Sequence, residues 1–170
     1  MKELIIGCGN KITEKLLSED NDKEYKNPTT LDIDPDCKPD IIWDLDKIPL
    51  PFPDKEFDEI HAYEILEHTG QQGDYKFFFS QFADFWRILK PGGLFCGSVP
   101  NWDDVWAWGD PSHKRIINEG TLAFLSQKEY EKQIGVTPMA DFRYLYKADF
   151  DIIFVEKTKY RTVFVLEAVK

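Results

Sequence analysis

The chain has 170 residues, 31 of them Asp or Glu and 21 Lys or Arg, with a formal net charge of −10 and an isoelectric point near 4.8. This length fits one domain, spanning 1–170, that buries a core without disulfide staples, and the acidic field makes long nucleic acid a poor partner. No apolar run reaches the length of a membrane span, and the N-terminus begins a strand at once rather than a basic and then apolar leader, so a cytoplasmic location is expected.

The first expected strand, Leu4–Ile6, runs straight into Gly7-Cys8-Gly9-Asn10. Two alternate glycines leave the backbone bare, so a ligand can press against main-chain N–H groups that a Cβ would shield. A short helix is expected over Lys11–Ser18, followed by a polar loop over Glu19–Lys26. Strands follow at Thr30–Ile33, Ile41–Trp43 and Phe57–Ala62. The first two of these close on the acids Asp32, Asp34 and Asp44, and the link between them is too short for a full helix.

Asp74–Leu89 reads as a helix with Phe77, Phe78, Phe82, Phe85 and Ile88 on its apolar side. Lys90-Pro91-Gly92-Gly93 stops it and turns the chain into a fifth strand, Leu94–Val99. A further helix is expected over Glu119–Ile134, then strands Phe150–Glu156 and Arg161–Val169. The few residues between these last two allow only an antiparallel hairpin. Their nearly continuous apolar runs predict burial on both faces. Alternating strands and helices imply a mostly parallel sheet covered on both sides, an α/β/α sandwich with its ligand at the carboxyl ends of the strands.

Cys8, Cys37 and Cys96 are odd in number and show no C-x-x-C spacing, so free thiols and no structural zinc are expected.

The segments LIIGCGN, TTLDIDPD, IIWDLDKIPLPFPDKEFDEI, ILEH and ILKPGGLF, in that order, resemble the successive motifs of class I methyltransferases that use S-adenosylmethionine (SAM). The likeness is closest to the small-molecule subgroup and to uncharacterised phage and environmental members with a segment like Lys38-Pro39-Asp40-Ile41-Ile42-Trp43-Asp44-Leu45. The chain departs from the family pattern at Ile5, where an acid is usual, and at Lys11, where a third glycine is usual. The resemblance implies a Rossmann-like, seven-stranded sheet of order 3-2-1-4-5-7-6 with strand 7 antiparallel. It also implies SAM as cofactor, S-adenosylhomocysteine (SAH) as product, and no required metal.

Carried onto this sequence, the family pattern places Gly7, Cys8, Gly9 and Asn10 around the methionine end. Asp32, with Ile33 beside it, falls at the ribose, and Asp34 reads instead as a helix cap or Asx turn before Pro35. Asp44 and Leu45 meet adenine. Tyr63 and Glu64 follow the fourth strand, where cofactor and acceptor meet, and His68 either lines that pocket or packs a helix.

The segment Trp102 to Arg115 belongs to a substrate-side insert around 101–146. Trp102, Trp106 and Trp108 form an expected acceptor wall, because exposed loop tryptophans are costly unless they pack on something. His113 lies in a fragment resembling the family's "DPxHxR" and is expected, with Glu64, to take the acceptor's proton. A small-molecule oxygen or nitrogen acceptor comes first, since neither the Pro-Pro-aromatic sequence of base amino-methyltransferases nor a Pro-Cys follows strand four. The alternatives are a protein or RNA methyltransferase and a non-catalytic SAM- or SAH-binding module; a nicotinamide oxidoreductase is opposed by the terminal hairpin.

Overall fold

The computed structural model describes residues 1–10, 12, 15, 16 and 24–170. The helix expected over Lys11–Ser18 and most of the Glu19–Lys26 loop lie outside the described residues. Seven strands form one sheet: β1 (Glu3–Ile6), β2 (Thr29–Asp32), β3 (Ile41–Ile42), β4 (Phe57–Tyr63), β5 (Leu89–Pro100), β6 (Phe150–Lys157) and β7 (Arg161–Ala168). Their order is β3-β2-β1-β4-β5-β7-β6. β1 to β5 pair in parallel, whereas β7 is antiparallel to both β5 and β6, the Rossmann-like arrangement with an inserted hairpin.

Helix α1 (Tyr75–Ile88) starts where Asp74 accepts a hydrogen bond from Phe77 N at 3.1 Å. It buries Phe78, Phe79, Phe82, Phe85 and Ile88, positions at helical spacing. Phe79, not the expected Phe77, completes this face; Phe77 lies beside Gly70 and Arg115. Phe85 meets Phe95 of β5 at 4.9 Å between ring centroids, and Phe95 stacks on Phe164 of β7. Each such ring stabilises the sheet–helix seam by roughly 1.5–3 kcal/mol on burial.

β5 begins at Leu89 instead of Leu94. Its pairing passes from Phe57↔Leu89 to Glu59↔Leu94, so Lys90–Gly93 form a bulge inside the strand, with Gly92 at φ +73°.

The single helix expected over Glu119–Ile134 is two, α3 (Glu119–Ala123) and α4 (Gln127–Gln133), which follow the short α2 (Val105–Gly109). Ser126 causes the break: its hydroxyl accepts from Glu129 N and starts α4 afresh. The expected burial of both terminal strands holds for β7 and fails for β6, the sheet's outer strand, where Ile153 and Phe154 reach solvent.

Candidate functional site

At the carboxyl end of β1 the chain folds back on β2. Gly7 N and Cys8 N both donate to Leu31 O, at 2.8 and 3.3 Å, and Gly9 N donates to Asp32 Oδ2 at 2.9 Å. Gly7 and Gly9 have φ of +65° and +59°, a region that L side chains rarely adopt. At Gly7 space is decisive as well, since a Cβ there would stand 2.8 Å from Ile65 Cβ. The loop is therefore held by β2 and by the very acid that the sequence marks for a ligand.

Asp32 also accepts from Asp34 N through Oδ1 at 3.0 Å. Both carboxylate oxygens are thus oriented by backbone N–H groups and keep further lone pairs for a ligand. Asp34 caps the 3-10 turn Pro35–Cys37 by accepting from Asp36 N, the cap reading of its sequence. Asp44 makes the equivalent local turn, accepting from Asp46 N at 3.0 Å.

Gly7, Asp32, Ile33, Asp44 and Leu45 together line one cleft of about 130 Å³. Leu31, Trp43, Asp46, Ile65, Thr69 and Lys114 line it too, and sequence reasoning missed these six; His68 also reaches it. Asp46 carried a usable signal as the second acid of the Asp44-Leu45-Asp46 run. It accepts from Gly70 N at 2.8 Å and pairs with Lys114 Nζ at 3.0 Å, tying the loops after β3 and β4 to the insert.

Tyr63, Glu64 and Cys8 lie apart from that cleft, in a second hollow of about 280 Å³ that shares Gly7 with it. Asn10 is exposed at the end of the loop. Glu64 has φ +53°, an uncommon conformation for a non-glycine residue and one that tends to gather at functional sites. It is fixed there by Glu64 N donating to Ser98 O and by Ser98 Oγ donating to Glu64 Oε1 at 2.6 Å, with Arg161 Nε 3.9 Å away. Tyr63 OH meets His61 Nδ1 at 2.9 Å, and His61 Nε2 reaches Glu59. Burial pushes the Cys8 thiol up to about 11, so it stays protonated near neutral pH.

The insert is pinned at its start by Asn101, which donates to Thr158 O and accepts from Thr162 Oγ1. Trp102, Trp106 and Trp108 are 51%, 66% and 59% exposed. Helix α2 is only five residues long and turns Ala107 inward, leaving its tryptophans on open faces.

His113 is held against His68, with ring centroids 4.7 Å apart, and its Nδ1 lies 3.1 Å from Ala107 O of α2. Next to them Glu67 is buried, and burial pushes its carboxyl up to about 8. Arg115 is also buried and donates to Leu66 O, Thr69 Oγ1 and Gln81 Oε1; burial brings it down to about 10.

A larger cavity of about 410 Å³ opens between the start of α1 and the segment before α3, with Tyr75, Phe78, Phe79, Phe124 and Phe142 among its walls. Its Arg115 and Gln71 follow closely on Lys114 and Thr69 of the cleft. Sequence reasoning placed the acceptor in the insert and did not anticipate this cavity.

The family described as "Methyltransferase domain" matches residues 4–97. The 27-O-demethylrifamycin SV methyltransferase of Amycolatopsis mediterranei is 30% identical over 161 residues, which cover 79% of this chain and 53% of that protein. The chain spans about half the length, or less, of the curated relatives that it matches. Among solved structures, a SAM-dependent methyltransferase from Archaeoglobus fulgidus superposes with a TM-score of 0.61 at 17% identity, covering 98% of this chain and 85% of that one. The N-methyltransferase NodS from Bradyrhizobium japonicum, crystallised with SAH, gives 0.57 at 13% identity, covering 99% and 78%. These structural likenesses concern the fold.

Proposed function

This chain belongs to the methyltransferase-domain family, the class I SAM-dependent methyltransferases, and from that premise we propose that it transfers a methyl group from SAM to an oxygen or nitrogen of a small-molecule acceptor. One observation carries the reading: Gly7, Asp32, Ile33, Asp44 and Leu45, from three separate turns, line a single cleft at the carboxyl ends of β1, β2 and β3. A nucleoside needs that combination of a bare backbone, an oriented acid and an apolar wall.

In this reading Asp32 accepts from the ribose hydroxyls, while Asp44 and Leu45 N–H take the adenine edge. Gly7, Cys8, Gly9 and Asn10 surround the methionine end, with Tyr63 across the shared hollow. SAM, when bound, supplies a methyl group already activated by the sulfonium charge. The protein's work is then to align a nucleophile, exclude water and receive a proton. Glu64, oriented by Ser98 at the end of β4, and His113 are the proton-handling groups. Trp102, Trp106 and Trp108 offer apolar ring surface that a bound acceptor would cover. The A. mediterranei relative, whose name identifies 27-O-demethylrifamycin SV as its substrate, supports a small-molecule acceptor.

The test is calorimetry with SAH, followed by transfer of labelled methyl from SAM to pooled hydroxyl- and amine-bearing small molecules. Binding with transfer is expected. A folded protein that fails to bind SAH rejects the cofactor site, and one that binds SAH but labels only protein or RNA rejects the acceptor class.

A further inference from the structure

Two histidines from distant parts of the chain meet beside a buried acid. His68 ends the 3-10 turn Leu66–His68 above β4, and His113 comes from the insert. His68 Nδ1 lies 3.3 Å from Ser112 O, and His113 Nδ1 lies 3.1 Å from Ala107 O. A carbonyl has no proton to give, so each Nδ1 carries the hydrogen and donates it. Each Nε2 therefore keeps its lone pair.

Glu67, adjacent in sequence, is 3% exposed, and its Oε2 has no hydrogen-bond partner among the described residues. One potential ligand atom from each of Glu67, His68 and His113 lies within 4.8 Å of the other two. Asp110 Oδ2 stands 3.9 Å from His113 Nε2. The junction is preorganised, because Lys114 N donates to Glu67 O at 2.8 Å and fastens the insert to the turn.

We propose that Glu67, His68 and His113 form a site for a divalent first-row transition ion of the zinc class, with Asp110 or water completing the coordination. An imidazole whose Nδ1–H is tied to a backbone carbonyl presents Nε2 in a fixed direction, the arrangement that outer hydrogen bonds impose on metal-bound histidines. Two neutral imidazoles and one carboxylate suit zinc, cobalt, iron or manganese better than calcium or magnesium, which favour all-oxygen sets. The ion would also answer the orphaned oxygen of Glu67, whose burial without a partner is otherwise costly.

A second grouping among the described residues, Glu3, Glu59 and His61, shows the contrast. There the ammonium of Lys15 already pairs with Glu3 and with Glu59, so a cation is in place. Among the described residues no ammonium or guanidinium comes within ion-pair contact of Glu67, the buried Arg115 guanidinium acting on it only from farther off. Because His68 also lines the cofactor cleft, an ion at this junction would fasten the insert against that cleft, and with His113 Nε2 on the ion Glu64 alone would receive the acceptor's proton, His113 then acting by position.

The test uses the whole chain, untagged and stripped with a chelator, titrated with Co²⁺ without cofactor while visible absorption and bound metal are measured. One equivalent is expected, with the weak visible bands of nitrogen and oxygen ligation, displaced by Zn²⁺. Glu67→Gln, which keeps the side chain's shape, should weaken binding by about tenfold or more, and the paired change His68→Ala with His113→Ala should remove it. Thermal unfolding of each variant checks that it is folded. Binding of far less than one equivalent by the wild-type chain overturns the proposal. So does a thiolate-to-cobalt charge-transfer band, which would move the ion to a cysteine, or undiminished binding by a folded double-histidine variant.

Discussion

The turns that end β1, β2 and β3 and the insert after β5 are built on opposite plans. In the first, backbone hydrogen bonds do the holding. Gly9 N, Asp34 N and Asp46 N each donate to a carboxylate, and the glycine loop hangs on Leu31 O. In the second, a five-residue helix buries only Ala107 and shows its tryptophans to water. The difference teaches where binding and selectivity are separated. A site formed by backbone groups at strand ends recognises what all its ligands share, whereas exposed side chains on a short helix can vary without disturbing the sheet.

The largest expected effect breaks the two regions apart. His113→Ala should depress turnover by about 10²–10⁴-fold while leaving SAH affinity nearly intact, because His113 lies on the insert side of His68. Parallel measurement of kcat and of SAH calorimetry checks this. Equal losses in both would mean that the insert and the cofactor turns act as one unit.

Gly7→Ala should do the reverse and cost stability besides. The added Cβ meets the base of the Ile65 side chain, not a flexible tip, and the backbone is left-handed there. A loss of about 1–3 kcal/mol is expected from overpacking, with SAH binding lost in parallel. Gly9→Ala provides the control: among the described residues nothing lies within 4 Å of its Cβ position, so the conformational cost of about 1–2 kcal/mol is expected. Chemical denaturation of the two variants side by side separates space from φ.

Asp32→Ala should weaken SAH by roughly 1–3 kcal/mol, the scale of a charge-assisted hydrogen bond. The same change releases Gly9 N and Asp34 N from their acceptor. Asp32→Asn sharpens the test, because the amide keeps one acceptor oxygen and should recover part of the loop's order without the charge. If Asn binds SAH as the wild type does, ribose recognition does not rest on the charge of Asp32.

What was legible in the sequence follows the same division. The terminal antiparallel hairpin and the gathering of Gly7, Asp32, Ile33, Asp44 and Leu45 around one cleft could be read because they answer to local rules: positive φ at glycine, acids at strand ends, a link too short to cross over; the strand order came with the family resemblance. The break at Ser126 was missed because a cap inside an apolar-periodic stretch competes with periodicity, and there the cap won. The exchange of Phe77 for Phe79 on α1 was set by packing against Phe142 and Tyr146, which come from far along the chain. The meeting of Glu67 and His68 with His113, and the cavity beside Arg115, likewise depend on contacts between distant segments.

The smallest effect on stability is expected where the rings look most important in the sequence. Trp106 and Trp108 are more than half exposed, so replacing either with Ala should change unfolding free energy by no more than about 0.5 kcal/mol, as for surface sites without special contacts. Phe82→Ala, by contrast, removes a fully buried ring from the α1 seam, at a cost of about 3–5 kcal/mol. If the tryptophans form the acceptor wall, their loss raises KM for the acceptor while Tm and SAH affinity stay put. A drop in Tm comparable to that of Phe82→Ala would show that the rings pack in solution, and an unchanged KM would remove them from the acceptor site and leave α2 as a plain surface helix.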